Sequence, residues 1–557
     1  MRNALVIVIS TAFFGLLLSE VSAKPNVLLI TVDDMSSDSL GSFGAQLAHT
    51  SPHIDKLASE GLCFDKAHVQ VGNCYPSRNI MWSGRYSHNS GVEGFFQVKP
   101  IAFPVMCDVM QAAGYWVGIH GKVSHSTPYQ PFHWDADLTV GEDGGKAHIK
   151  DVGAYGESIR RGIEAAKAAG KPFCINVNIS DPHKPFWKPN DPHPASHVFS
   201  ANEVPVPGFL PDDPAIREEL ALYYTSVRRA DDCVGSILKA LDESGMKEDT
   251  FVMFLSDHGM PLPFAKTQLY HHSTHTPLIV RWPSVTTAGA RDKTHMVSAV
   301  DFLATICDVV GAEKPSGMDG QSFASLLRGE EQANRNAIYK VYYENAGGNR
   351  HPMRGVQSKR YLYLFNPWSD GENQFKTATQ GTVSYKRLQA LAKTDPKIAA
   401  RLDLFNHRVI EELYDVKNDP DCLHNLINSE EHQKDLASLR TQMEGFMKRS
   451  KDPMLDVFLN HDVESVRVAF MKRKQMNAVA RGGRQRKTTK EKGKTNRRPL
   501  HESSFELFES FSQYLTCFYQ SGPSIISTMA HLLPWAHTLS AHSSCQFAPS
   551  AIMLALI

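Results

Sequence analysis

Four apolar runs in this chain each stop abruptly at reactive polar residues, with helix-like segments between them. Residues 27–32 are rich in leucine and β-branched side chains and end in Asp33-Asp34. Residues 115–119 are followed by Lys122 and His125, residues 173–179 by His183, and residues 251–255 by Asp257 and His258. Runs this short and this apolar read as strands buried on both faces, the mark of a parallel sheet. Residues 47–61, 105–113, 158–169 and 218–241 carry helical spacing; Ile159 and Ile163, for example, share one face. The alternation predicts an α/β fold with a mostly parallel central sheet flanked by helices. Ligands of such sheets bind outside the carboxyl ends of the strands. One polar strand end is ordinary loop chemistry, but four together point to one shared site.

The rest of the chain divides by character. Residues 1–23 read as a signal peptide: Arg2, an apolar stretch over 4–18 too short for a membrane span, and a small-residue site at Val21-Ser22-Ala23. The folded part is therefore expected outside the cytoplasm, secreted or periplasmic, or lysosomal in an animal. Residues 24–335 form the expected catalytic domain. From 336 to 455 a smaller antiparallel-sheet subdomain is expected, with strands at 338–343, 360–365 and 410–415 and a closing helix at 430–448. Residues 456–557 read as a disordered tail, strongly basic over 471–498 and apolar but broken by Pro534 over 524–557. No aromatic stacking pattern accompanies the basic stretch, so no nucleic-acid partner is expected. The balance of 59 basic against 59 acidic residues likewise argues for no polyanion partner. Nine cysteines at scattered spacing make no dense disulfide framework, and their odd number leaves at least one unpaired.

Cys74-Tyr75-Pro76-Ser77-Arg78 is the strongest chemical signal. Pro76 sits where a helix would start, and Arg78 lies in its first turn. A helix N-terminus attracts anions, so Cys74 reads as an activated nucleophile beside a cation, with a plain buried cysteine as the alternative. Asp33, Asp34 and Asp257 supply hard oxygen ligands that suit Ca²⁺ or Mg²⁺. Adjacent acids at a buried strand end repel one another without a cation. Asn178-Ile179-Ser180 matches a glycosylation sequon, but its place at the end of a buried strand predicts that it stays unmodified.

Over residues 24–453 the chain resembles the sulfatase family. The likeness rests on Cys74, Pro76 and Arg78, on Ser83-Gly84-Arg85-Tyr86, and on Asp33-Asp34, Gly121-Lys122 and Ser256-Asp257-His258-Gly259 in the same order. Glu412-Leu413-Tyr414-Asp415 and Asp419-Pro420 match the late part of the family pattern. The resemblance implies that a separate formylglycine-generating enzyme oxidises Cys74 to formylglycine. The hydrated aldehyde then attacks sulfur through one hydroxyl, and loss of the other hydroxyl's proton expels sulfate. It implies a metal held by Asp33, Asp34, Asp257 and His258 at the formylglycine of Cys74, with Ca²⁺ as the expected ion. Many members have Asn where this chain has His258, and imidazole is an uncommon Ca²⁺ ligand. Arg78 and Lys122 would stabilise negative charge, His125 would assist release, His183 would protonate the leaving group and Lys266 would neutralise a sulfate oxygen. The family often spaces its Lys and His one residue closer than Lys122 and His125 stand here.

The stretch from Ser256 to Tyr270 resembles the sulfamidase (heparan N-sulfatase) branch, although that branch typically has Arg where Lys266 stands. Pro352-Met353-Arg354 followed by a strand is a second likeness. A sulfated sugar or glycan is the expected substrate, attacked at its non-reducing end in a pit closed near Arg354. Arg354 could pair with a substrate anion or form a structural salt bridge. Two other readings stay open: a phosphate or phosphonate ester hydrolase with the same metal site, and a non-catalytic sulfated-glycan-binding protein.

Overall fold

In the computed structural model, residues 24–95 and 101–480 are described. Their strands, in chain order, are β1 (Asn26–Asp33), β2 (Leu62–Phe64), β3 (Ala67–His68), β4 (Trp116–His120), β5 (Ala136–Asp137), β6 (Phe173–Pro182) and β7 (Thr250–Ser256). They continue with β8 (Leu278–Arg281), β9 (Ala290–Asp292), β10 (Val297–Ser298), β11 (Ala337–Glu344), β12 (Arg350–Ser358), β13 (Tyr361–Phe365) and β14 (Glu411–Asp415). The main sheet has eight strands in the order β5-β4-β6-β1-β7-β8-β2-β9. Its centre is parallel: β1 pairs in parallel with β6 and with β7, and β6 pairs in parallel with β4. The expected α/β architecture is thus what the chain adopts.

Strand β1 shows why this region is uniformly apolar. Leu28, Ile30 and Val32 face one core cluster, while Val27 and Leu29 face another on the opposite side. Successive strand residues point to opposite faces, so a central strand with helices on both sides has no polar face to spare. Helices Val152–Ala168 and Pro214–Glu243 bury their apolar stripes on one side. Helices Met106–Ala112 and Phe302–Val310 do so on the other.

The second sheet is antiparallel, ordered β11-β12-β13-β14. Three of its strands were expected; β12 was not. Pro352, Met353 and Arg354 lie inside β12 rather than before a strand. The helix Gln433–Arg449 closes this sheet as anticipated.

The expected disorder from residue 456 does not hold as far as residue 480. Helices Leu455–Leu459 and Glu464–Ala480 occupy that stretch. Phe470 is buried, and Lys474 lies 3.3 Å from Glu93. The apolar contacts of Val457, Phe458 and Phe470 outweigh the entropy of ordering a charged segment. The signal-peptide stretch and most of the basic and apolar tail lie outside the described residues. Among the described residues no helix is long and apolar enough to cross a membrane.

Candidate active site

The register of the central strands brings the four polar strand ends together. Val32 pairs with Ser256 and Asp33 with Pro182, so Asp33, the His183 loop and Asp257 leave the sheet at one edge. A regular strand would send Asp33 and Asp34 to opposite faces. Here the pairing register shifts between Val32 and Asp33, and Asp34 takes a left-handed backbone with φ of 70°. That conformation is uncommon outside glycine, though aspartate tolerates it better than most residues. It turns both carboxylates into the same space.

Helix Cys74–Ser83 begins at Cys74 itself, two residues earlier than Pro76 suggests. No side chain caps it: the Asn73 amide instead donates to the Glu344 carbonyl at 3.1 Å. The N-terminal N–H groups and the positive end of the helix dipole therefore serve the pocket. Ser77 Oγ donates to the Asp257 carbonyl at 2.7 Å and ties this helix to the end of β7.

Donor atoms of Asp33, Asp34, Cys74 and His258 all lie within 4.8 Å of one another, and all four residues are buried. His258 Nδ1 donates to the Gly259 carbonyl at 3.0 Å, which leaves Nε2 facing Asp34 Oδ1 at 3.0 Å. Asp33 Oδ1 and His258 Nε2 are buried without hydrogen-bond partners. Orphaned carboxylate and imidazole atoms converging on one point fit a cation better than any network among themselves. Asp257 borders the cluster but is already engaged. Its Oδ2 accepts from Arg78 Nε at 3.0 Å, and its Oδ1 accepts from the Asp34 N–H at 3.0 Å.

Cations surround these acids. Lys122 Nζ lies 2.7 Å from Asp33 Oδ2, and Lys266 Nζ donates to both oxygens of Asp34 at 2.7 and 2.6 Å. Burial alone would raise the Asp33 and Asp34 pKa values, but the neighbouring cations win and hold both below the usual carboxylate range. Asp257 goes the other way: burial outweighs Arg78 and pushes it up to about 6. Burial disfavours charged His258, yet Asp257 and Asp34 raise it to about 9. A bound cation reverses that logic, since a ligating imidazole must be neutral.

The two other predicted histidines sit on either side. A 3₁₀ turn, Ser124–Ser126, carries His125 back against the Cys74 helix, where its carbonyl accepts from Asn79 Nδ2 at 2.8 Å. The His125 ring packs on Tyr75 at 5.1 Å, and burial together with Lys122 holds it well below the ordinary imidazole range. Thus the longer Lys-to-His spacing still delivers both residues to one place. His183 Nε2 stands 4.0 Å from Asp34 Oδ2, and burial and Lys266 lower its pKa to about 4.

Several participants were not predicted. Asn178 Oδ1 accepts from Arg78, and its amide donates to the Gly121 carbonyl at 2.9 Å. With its side chain committed in this way and only 1% of the residue exposed, Asn178 offers no acceptor for a glycan in the folded protein. Lys150, Asp181 and Arg229 form a buried ion group beneath the His183 loop. Only the polar cluster after residue 179 hinted at them.

Arg354 is structural rather than substrate-facing. It is fully buried and pairs with Asp452, with Nη2 2.9 Å from Oδ1, and it also donates to Tyr343 Oη. Arg354→Met is expected to cost about 3–5 kcal/mol, because it strips a buried carboxylate of its main partner. Thermal unfolding should show the loss, with KM for a sulfated substrate unchanged. A raised KM at wild-type stability would return Arg354 to the substrate. The seven described cysteines are all buried and unpaired, so among the described residues no disulfide shapes the site.

Comparison with known proteins agrees with this geometry. Residues 25–312 match the family model described as Sulfatase. Residues 257–373 match the one described as N-sulphoglucosamine sulphohydrolase, C-terminal. The chain is 27% identical over 489 residues to the N-sulphoglucosamine sulphohydrolase of Homo sapiens, covering 77% of this chain and 91% of that one. It is 26% identical over 443 residues to an ulvan-active sulfatase of Formosa agariphila, covering 78% and 82%. A solved structure described as a complex with its substrate D-glucosamine-2-N,6-O-disulfate shares the fold, with a TM-score of 0.59 and 19% identity over 78% of this chain and 99% of that one. A phosphonate monoester hydrolase of Agrobacterium radiobacter does so with a TM-score of 0.57 and 18% identity, over 77% and 96%.

Proposed function

Because the chain belongs to the sulfatase family, whose members hydrolyse sulfuric esters, we propose that it removes sulfate from a sulfated sugar at the pocket around Cys74. The observation that carries this reading is the buried convergence of Asp33, Asp34, Cys74 and His258, encircled by Arg78, Lys122 and Lys266. Such a pocket suits a small tetrahedral anion at a helix N-terminus. The sulfamidase-type model over residues 257–373 and the 27%-identical human relative favour an N-sulfated glucosamine, with O-sulfated sugars as the neighbouring choice.

In this reading a formylglycine-generating enzyme acts on Cys74 before or during export, and the enzyme works in a secreted, periplasmic or lysosomal setting. Formylglycine at this position supplies, once hydrated, one hydroxyl that attacks sulfur and a second whose deprotonation frees sulfate. Asp33, Asp34 and His258 would hold a divalent cation, with Asp257 joining through a remaining lone pair of a carboxylate that already accepts from Arg78 and the Asp34 N–H, and the three carboxylates favour Ca²⁺ or Mg²⁺. When bound, that ion polarises the sulfate oxygens. The chain's own residues do the rest. Arg78 and Lys122 neutralise charge beside residue 74. Lys266, which balances Asp34 in this structure, would offer its ammonium to a sulfate oxygen. His125, next to Tyr75, takes the proton of the second hydroxyl. His183, on the far side of Asp34, would give a proton to the departing sugar oxygen or nitrogen once the substrate's negative charge offsets the burial and Lys266 that hold its pKa down.

Defined heparin-type oligosaccharides, N-sulfated or only O-sulfated at the terminal sugar, test the substrate. Sulfate release from the N-sulfated set is the expected result, with aryl sulfate turned over faster than aryl phosphate by about 10²-fold or more. Release only from O-sulfated sugars would discard the N-sulfate assignment. A preference for phosphate esters would move the activity to phosphoryl transfer.

A further inference from the structure

We propose that Lys150 is a positioning residue for His183: its ammonium pins the loop that aims the His183 ring into the site. This rests on the reading of His183 as the proton donor.

The His183 ring has little of its own to hold it, for its side chain is 34% exposed on a loop after β6. Its Nδ1 lies 2.6 Å from the Lys184 carbonyl, and a carbonyl only accepts, so Nδ1 carries hydrogen and Nε2 is the nitrogen turned to Asp34. The aim of Nε2 is therefore inherited from the loop backbone. Lys150 controls that backbone. All three of its donors go to the end of β6 and the first residue beyond it: Asp181 Oδ1 at 2.6 Å, the Ser180 carbonyl at 3.4 Å and the His183 carbonyl at 2.8 Å. Lys150 itself is only 4% exposed and immediately precedes the helix Val152–Ala168. Arg229, from the helix Pro214–Glu243, grips the other side of Asp181 with Nε 2.6 Å from Oδ2 and Nη2 3.3 Å from Oδ1.

Buried ion groups of this kind add little net stability, since desolvation offsets their attraction. What they deliver here is geometry: the segment before the helix Val152–Ala168 and the helix Pro214–Glu243 both grip the end of β6 that leads into the donor's loop. Removing Lys150 leaves Asp181 still paired with Arg229, while the Ser180 and His183 carbonyls lose their anchor.

The test compares full-length Lys150→Met and Lys150→Arg with the wild type on two substrates. In 4-nitrophenyl sulfate the leaving phenolate needs no proton; a sulfated glucosamine does need one. For Lys150→Met, kcat on the sugar should fall by about 10–100-fold, against less than about 3-fold on the aryl sulfate, with KM little changed. Lys150→Arg, which keeps the charge and donors, should recover most of the loss. Crystals of Lys150→Met should show the His183 ring displaced from its 4.0 Å approach to Asp34. Equal losses on both substrates would make Lys150 merely structural and overturn the proposal. If the wild type turns over neither substrate, the functional reading fails instead. The crystal structure alone then decides, and an unmoved His183 ring sinks the positioning role.

Discussion

Cys74→Ala is expected to lower sulfate-ester turnover by about 10⁵-fold or more, with the fold intact. Cys74 is the residue at the helix N-terminus whose donor atom joins Asp33, Asp34 and His258. The other described cysteines cannot stand in for it. Cys63, Cys107 and Cys422 are sealed in the core, where burial pushes their thiols up to about 11, 12 and 12. Alanine fills nearly the same space at the start of a helix and is the best helix former, so the loss is chemical rather than structural. Two measurements separate the causes: kcat on an aryl sulfate, and the mass of the tryptic peptide that contains residue 74 in the wild type. Active protein should carry formylglycine there. A fully active sample with only thiol at Cys74 would refute the assigned nucleophile and leave the metal cluster as the main source of catalysis.

The parts of this molecule that could be read from its sequence share a physical trait: their signal is local. Strands β1, β4 and β7 are largely continuous apolar runs because both faces of the sheet are covered, β6 is mostly so apart from Asn176, Asn178 and Ser180, and runs of that kind need no partner to be recognised. The polar residues just beyond them are equally local, and the parallel register then brings them together. Strand β12 carried no such signal. Its sequence includes Arg350, His351, Pro352, Arg354 and Gly355, which is poor strand composition. It exists because Arg350 reaches Glu344 at 2.6 Å and Glu93 at 2.5 Å, and Arg354 reaches Asp452, all partners set by tertiary structure. The roles of Lys150 and Arg229, and the contact of Asn178 with Arg78, carried no sequence signal for the same reason. Each acts on a residue tens of positions away, and neither spacing nor periodicity records such a contact. The helix Glu464–Ala480 was misread as disorder because its charge is dense, while a few buried side chains such as Phe470 decide its state.

Removing the divalent cation, or one of the carboxylates that would hold it, should cost about 10³-fold in kcat. Asp33→Asn is the sharpest variant. It keeps size and shape at a fully buried position but deletes the charge that offsets Lys122 and Arg78. The carboxamide also brings a donor to a point where Asp33 Oδ1 has no hydrogen-bond partner, so it opposes a cation rather than merely failing to attract one. Metal content measured by elemental mass spectrometry should fall together with kcat, and calorimetric affinity for Ca²⁺ should weaken by about 10-fold or more. His258→Asn is the informative contrast. It exchanges one imidazole nitrogen for an amide oxygen, a harder donor that suits Ca²⁺ and Mg²⁺ better, so metal affinity should hold or rise. If His258→Asn abolishes metal binding while Asp33→Asn spares it, the site selects a softer ion through its imidazole. Full activity in protein stripped of metal would remove the cation from the mechanism, and Lys122 and Lys266 would then be the permanent counter-ions of Asp33 and Asp34.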